Sequence, residues 1–246
     1  MENAIYIGLS RQMALQRRLS VAANNIANAN TPGFKAQRML FVQFLAAPDR
    51  PGPDRGDAIA MVTDRAVVRD LRAGELEQTG NPLDVALLGD GYLVVETDAG
   101  PRYTRNGRLA LDAERRLVDS NELPVLGADD RPIVIPPNSG PIVISQAGDV
   151  SVDTGPVGRL RVVGFDDELG LTPLGGGLHA SNEMPVDADQ TEVVQGMLEG
   201  SNVQPILEMT QLIEISRQYQ STQRLLESEH RRQRDAIGRL ANINRR

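Results

Sequence analysis

The chain has no cysteine and no tryptophan, and its four phenylalanines and four tyrosines make up 3% of 246 residues. Without cysteine there is no disulfide, no thiolate metal site and no cysteine nucleophile. The lack of thiols fits passage through an oxidising compartment. So few aromatic rings argue against a large stacked cofactor or a nucleic-acid platform. There are two histidines, His179 in a Gly-rich loop and His230 in a charged helical stretch, and neither has the neighbours of a zinc site. Long apolar runs are missing too. No stretch approaches the roughly 20 residues of a membrane-spanning helix. The start, Met1-Glu2-Asn3-Ala4-Ile5-Tyr6, has no basic n-region, so no cleaved secretory signal is expected.

What is present is unevenly distributed. The net charge of −7 divides into +4 over residues 1–46, +3 over 200–246 and −14 over the middle. Basic ends and an acidic body point to segments with different tasks, and an acidic surface disfavours nucleic acid.

The two ends carry helical periodicity. Leu15, Leu19, Ala22, Ile26 and Ala29 recur at alternating steps of four and three, with Ile5 and Leu9 on much the same face. Near the C-terminus Leu212, Ile215, Tyr219, Thr222, Leu226, Glu229, Gln233, Ala236, Leu240 and Ile243 do the same. Such a stripe is the seam of a coiled coil, and neither helix can bury it alone. Asn24, Asn25, Asn28 and Asn30 crowd the end of the first helix although Asn is a mediocre helix former, so an external partner for these side chains is expected. Thr31-Pro32-Gly33-Phe34 then stops the helix, with Pro32 at the first corner and Gly33 at the second corner of a type II turn. Ser201 or Asn202 is suited to cap the last helix.

Between the ends, residues 34–82 read as an extended linker with short strands, and the Pro- and charge-rich stretch from Ala46 to Asp57 as a solvated loop. Residues 83–185 alternate short β-prone runs with turns, the signature of a barrel or sandwich. Asn106-Gly107 is a strong tight-turn signal within it. The fold class is thus α+β: a terminal helix over 1–33, a central all-β domain, and a connector with the C-terminal helix over 186–246.

No catalytic constellation emerges. Asp166-Asp167-Glu168 and Asp187-Ala188-Asp189 lack the spacing of a calcium loop. Gly89-Asp90-Gly91 and Gly175-Gly176-Gly177 lack the Lys-Ser/Thr of a phosphate loop. Ser145 and Ser151 have no evident His partner. The expectation is a protein that is not an enzyme, with no cofactor, metal, nucleic acid or small-molecule substrate. A hydrolase in the β domain would need a site the residues do not display. A membrane-surface binder would use the basic first helix, but its Asn-rich half suits lipid poorly.

Several runs together carry a resemblance. Leu19 to Lys35, containing Ala22-Ala23-Asn24-Asn25-Ile26-Ala27-Asn28 and Thr31-Pro32-Gly33-Phe34, is similar to the N-terminal signature of the bacterial flagellar rod and hook family. Leu76 to Ala86, with Asn81-Pro82-Leu83-Asp84, then Gly89-Asp90-Gly91-Tyr92 and Tyr103-Thr104-Arg105-Asn106-Gly107, resembles the family core, and Gly196 to Pro205 completes the match. The chain looks most like the family's proximal-rod members; a distal-rod or hook-type subunit is the alternative. The resemblance implies a polymer subunit of the basal body's periplasm-spanning rod, exported by the flagellar type III apparatus, its partners being other copies and other proximal and distal rod proteins. The paired terminal helices would line a hollow torque-transmitting shaft, with the β domain outside. The assembly seam is then expected between copies, with Ile5, Leu9, Leu15, Leu19, Ala22, Asn24, Asn25, Ile26 and Asn28 facing Ile206, Leu212, Ile215, Tyr219 and Leu226.

Overall fold

The computed structural model describes residues 2–46, 59–188 and 190–243. The expected loop from Ala46 to Asp57 lies almost entirely outside them. So do the side chains of Ile5, Ala236, Leu240 and Ile243 from the expected stripes. The architecture is α+β: two long helices and seventeen strands among the described residues. The chain forms two compact units.

The first unit comprises Met1–Ala27, Gln37–Val68 and Gln204–Arg246. Helix α1 spans Glu2–Ala27 and helix α2 spans Pro205–Ile243, about 39 and 58 Å at 1.5 Å per residue. α2 opens with a proline, whose fixed φ and missing N–H suit the first turn, and Glu208 N donates to Gln204 O at 3.1 Å. The acidic Glu208 in that turn also complements the helix dipole. Strands β1 (Gln37–Ala46) and β2 (Ile59–Arg69) pair as a two-stranded ribbon. β2 is one continuous strand where short strands within a linker were expected.

The second unit comprises Asn28–Ala36 and Arg69–Val203. Its largest sheet has six antiparallel strands in the order Thr172–Gly175, Leu178–Ala180, Arg102–Thr104, Tyr92–Val95, Val162–Gly164, Val186–Asp187. Alternation along a strand sends successive side chains to opposite faces. Leu93 and Val95 therefore enter one core with Val85, Leu117, Val125 and Ile135. Tyr92 and Val94 enter a second with Tyr103, Val163 and Leu171. All four residues of that strand are buried, and each such side chain contributes about 1.5–3 kcal/mol.

This unit reaches further along the chain than the sequence suggests. Strands Glu192–Gln195 and Met197–Glu199 pair with Val85–Leu88 and Leu76–Gln78, drawing parts of the expected connector and linker into the β body. Pairing partners more than a hundred residues apart leave no local pattern to read.

The tight turn expected at Asn106-Gly107 is absent. The strands on either side, Arg102–Thr104 and Ala110–Leu111, pair elsewhere. Gly107 does not adopt a positive φ; it is glycine because Val85 N donates to Gly107 O at 2.9 Å and a Cβ there would overlap the Val85 carbonyl. Asn106 accepts from Arg108 N and donates to Ser120 Oγ.

Candidate assembly interface

Within the helical unit α1 and α2 pack antiparallel. Asn25 Nδ2 donates to Glu208 Oε1 at 3.2 Å, Gln12 Nε2 donates to Tyr219 Oη at 2.9 Å, and Gly8 leaves room for Leu226, whose Cδ2 would stand 2.6 Å from a Cβ there. As the first member of each pair moves back along α1, the second moves forward along α2. The covered face of α1 holds Gly8, Leu15, Ala22 and Asn25, with Leu19 and Ile26 half-buried. On α2, Ile215 and Thr222 are buried, and Leu212, Tyr219, Leu226, Glu229 and Gln233 are half-buried.

The seam expected between copies is thus closed within the chain at these residues. Each helix supplies the apolar face the other needs. Two of the expected apolar seam residues stand elsewhere, Leu9 at 48% and Ile206 at 80% exposed. Gly8 takes the place expected of Leu9, because close approach of two helices favours the smallest residue.

The asparagines divide sharply. Asn25 is buried, and its side chain accepts from Gln37 N at 2.8 Å and donates to Gln37 O at 2.9 Å. It thereby pins the start of β1 to α1 as a backbone segment would. Asn24, one residue away, faces outward. Asn28, in the second unit, accepts from Thr31 Oγ1 at 3.2 Å, and its carbonyl accepts from Thr31 N.

The turn motif lies in the β unit. Phe34 N donates to Thr31 O at 3.2 Å and Gly33 has a φ of +70°, as the third position of a type II turn requires. A Cβ on Gly33 would also stand 2.6 Å from the Arg105 backbone. Asn81 and Asp84 close the other motif turn: Asp84 N donates to Asn81 O, Asn81 Nδ2 donates to Asp84 Oδ1, and Leu83 N donates to Asn81 Oδ1. Pro82 O accepts from Gln195 Nε2 at 2.8 Å.

Around these turns is a buried ionic clasp that sequence reasoning did not single out. Lys35 Nζ lies 2.6 Å from Glu199 Oε1, and Arg105 Nε lies 2.9 Å from Glu199 Oε2. Gly74 N donates to Glu199 Oε1 at 3.0 Å. Arg105 donates further to the carbonyls of Leu87, Gly89 and Gly91 and rests over the Tyr92 ring at 5.7 Å. Lys35 donates to Arg72 O. Burial alone would raise the Glu199 pKa; Arg105, Lys35 and the Gly74 N–H outweigh it and hold the carboxylate below its usual range. Burial lowers the Lys35 pKa, with Arg105 adding to that and Glu199 opposing it.

Asn202 completes the clasp. Its Oδ1 accepts from Ala36 N at 2.7 Å and its Nδ2 donates to the carbonyls of Asp70 and Arg72. Ser201 Oγ accepts from Val203 N. Both side chains are committed here rather than to capping α2. The one available signal was that Lys35, Arg105, Glu199 and Asn202 are polar residues inside otherwise apolar or turn-forming motif runs.

The chain belongs to the flagellar basal-body rod protein family. Three family models match it: "Flagella basal body rod protein" over residues 5–35, "Flagellar hook protein FlgE/F/G D1 domain" over 86–152, and "Flagellar basal body rod FlgEFG protein C-terminal" over 194–239. Its similarity to the flagellar basal-body rod protein FlgF of Caulobacter vibrioides is 39% identity over 246 residues, 99% of this chain and 100% of that one. Against FlgF of Escherichia coli it is 32% over 247 residues, covering 93% and 94%. Against FlgG of Agrobacterium fabrum it is 32% over 249 residues, covering 91% and 94%.

Proposed function

We propose that the chain is a structural subunit of the flagellar basal-body rod, most like the FlgF proteins, and that it assembles through its helical unit. The observation that carries the assembly role is the outer surface of the helix pair. With their inner faces joined, α1 and α2 still expose Tyr6, Leu9 and Met13, and Ile206, Met209 and Ile213. Apolar side chains grouped in this way on a soluble helix pair mark an interaction surface. Among the described residues no helix is long and apolar enough to cross a membrane, so these faces are better suited to protein than to a lipid interior.

In this reading the inner faces form a coiled-coil-like seam within each subunit, and the outer faces meet neighbouring rod subunits. The clasp ties the segment leaving α1 to the segment entering α2 through buried ion pairs. Family membership supports export by the flagellar type III apparatus and a place in the periplasm-spanning part of the rod. Identity to FlgG at 32% supports a distal-rod place as the second reading, below the 39% to FlgF.

The test is deletion of the chain from its host, followed by swimming assays and electron microscopy of isolated basal bodies. Loss of motility with rods that stop short is expected, restored by the chain in trans. Intact rods and normal swimming in the deletion strain would overturn the reading.

A further inference from the structure

Asn106-Gly107 is the one Asn-Gly pair in the sequence, and the fold makes no hairpin of it. Packing requires the glycine, because a Cβ there would overlap the Val85 carbonyl. The same missing side chain leaves the Gly107 amide unhindered, and that amide is joined to a residue whose side-chain carbonyl lies within reach of a five-membered ring. Close approach to Val85 thus builds a chemically weak point into the backbone.

The reaction at such a point is internal to the chain. Gly107 N attacks Asn106 Cγ; the new C–N bond closes an imide, the Cγ–Nδ2 bond breaks, and the Gly107 amide proton leaves with Nδ2 as ammonia. Water then opens one of the two imide C–N bonds, giving aspartate or isoaspartate. The side chain must be free to rotate, the backbone to follow it, and water to reach both.

The fold withholds all three. Asn106 is 6% exposed. Its Nδ2 donates to Ser120 Oγ at 3.0 Å and its Oδ1 accepts from Arg108 N at 3.1 Å, so both ends of the amide are held. Along the main chain, Asn106 N donates to Thr104 Oγ1 at 3.1 Å, Gly107 O accepts from Val85 N at 2.9 Å, and Arg108 bridges to Asp84.

We propose that Asn106 is a modification site kept latent by the fold: its amide is lost through the Gly107 imide in the opened chain, and this loss is shut off in the folded β unit. The product bears on refolding. Isoaspartate carries the main chain through Cβ and Cγ, adding an atom between the Thr104 contact of residue 106 and the Val85 contact of residue 107, so both cannot form at once. A chain left open long enough is thereby barred from the native β body. This inference stands independently of the rod-subunit reading.

The test uses the full wild-type chain, incubated in one mildly alkaline buffer with and without denaturing urea. Mass spectrometry follows the peptide containing residue 106, and enzymatic methyl labelling scores isoaspartate. Because the folded rate is the opened-chain rate multiplied by the open population, conversion at Asn106 should be at least about a hundredfold slower without urea. Asn182, exposed in the folded chain, controls for the effect of urea itself. Asn106→Gln, unfolded in urea like the wild type, should leave the peptide unmodified over the same time. After urea is removed, isoaspartate at 106 should be confined to protease-sensitive molecules. Similar rates at Asn106 with and without urea, no conversion in urea, or isoaspartate at 106 in refolded, protease-resistant protein would each overturn the proposal.

Discussion

Lys35 and Glu199 stand 164 residues apart in sequence, yet their side chains meet at 2.6 Å with both almost fully buried. Lys35 follows the turn after α1, and Glu199 ends the last strand before α2. Arg105 holds the other carboxylate oxygen, so one anion serves two cations, and backbone carbonyls accept further hydrogen bonds from both. A cluster of this kind stabilises only while complete: removing one partner strands a charge away from water.

Glu199→Ala should therefore destabilise the β unit by about 3–5 kcal/mol, measured by urea denaturation. Lys35→Met should cost less in the Glu199→Ala background than in the wild type, because the loss of Glu199 has already left Lys35 unpaired. Additive effects in the double-mutant cycle would show that the two side chains are not coupled.

The pH dependence has an identifiable source in His179. Burial foremost, and then the charge of Arg69, lower its pKa from 6.5 to about 4, against a contact with Tyr103 O. The folded protein thus binds fewer protons than the unfolded chain between those values. Stability is complete above about pH 6.5 and declines as pH falls toward 4, by on the order of 3 kcal/mol at the lower end. His179→Gln should flatten that part of the curve. Parallel wild-type and variant profiles between about pH 7 and 5 would refute the assignment.

Asn24 and Asn25 should respond oppositely to the same change. Asn25→Leu deprives Gln37 N and O of their side-chain partner and should destabilise the helical unit by roughly 2–4 kcal/mol. Asn24→Leu, on an exposed position, should stay within about 0.5 kcal/mol. Thermal unfolding followed by helical circular dichroism separates them, and equal losses would contradict the burial of Asn25.

Gly107→Ala should cost about 3 kcal/mol, because a methyl group there meets the Val85 carbonyl rather than a movable side chain. A type I′ turn would instead require positive φ, and Gly107→Asn would then be nearly neutral. The two substitutions measured side by side distinguish close approach from turn geometry, and a mild Gly107→Asn would contradict the structure.

The helices, their stripes and the Thr31–Phe34 turn were legible because each is a local pattern. Leu212, Ile215, Tyr219, Thr222 and Leu226 announce one face by spacing alone, and Pro32-Gly33 announces a stop by backbone preference. The alternation of β-prone runs and turns over residues 83–185 was legible for the same reason. The Asn106-Gly107 signal misled because glycine serves two physical purposes, and sequence does not say which. Leu9 misled because Gly8, with no side chain to register in an apolar pattern, is what the partner helix needs at that level. The clasp was invisible as a site: Lys35, Arg105, and Glu199 with Asn202 lie in three separate runs, each with its own local explanation.

The sequence by itself determined that two amphipathic helices bound an acidic β body, since periodicity and turn chemistry are written residue by residue. Only the tertiary structure decided that the helices answer each other within one chain. Their antiparallel register depends on Asn25 meeting Glu208, Gln12 meeting Tyr219 and Leu226 meeting Gly8. Contacts across nearly the whole chain are fixed by packing and hydrogen-bond geometry, not by any spacing within it. That closure covers the inner faces and leaves Tyr6, Leu9, Met13, Ile206, Met209 and Ile213 exposed.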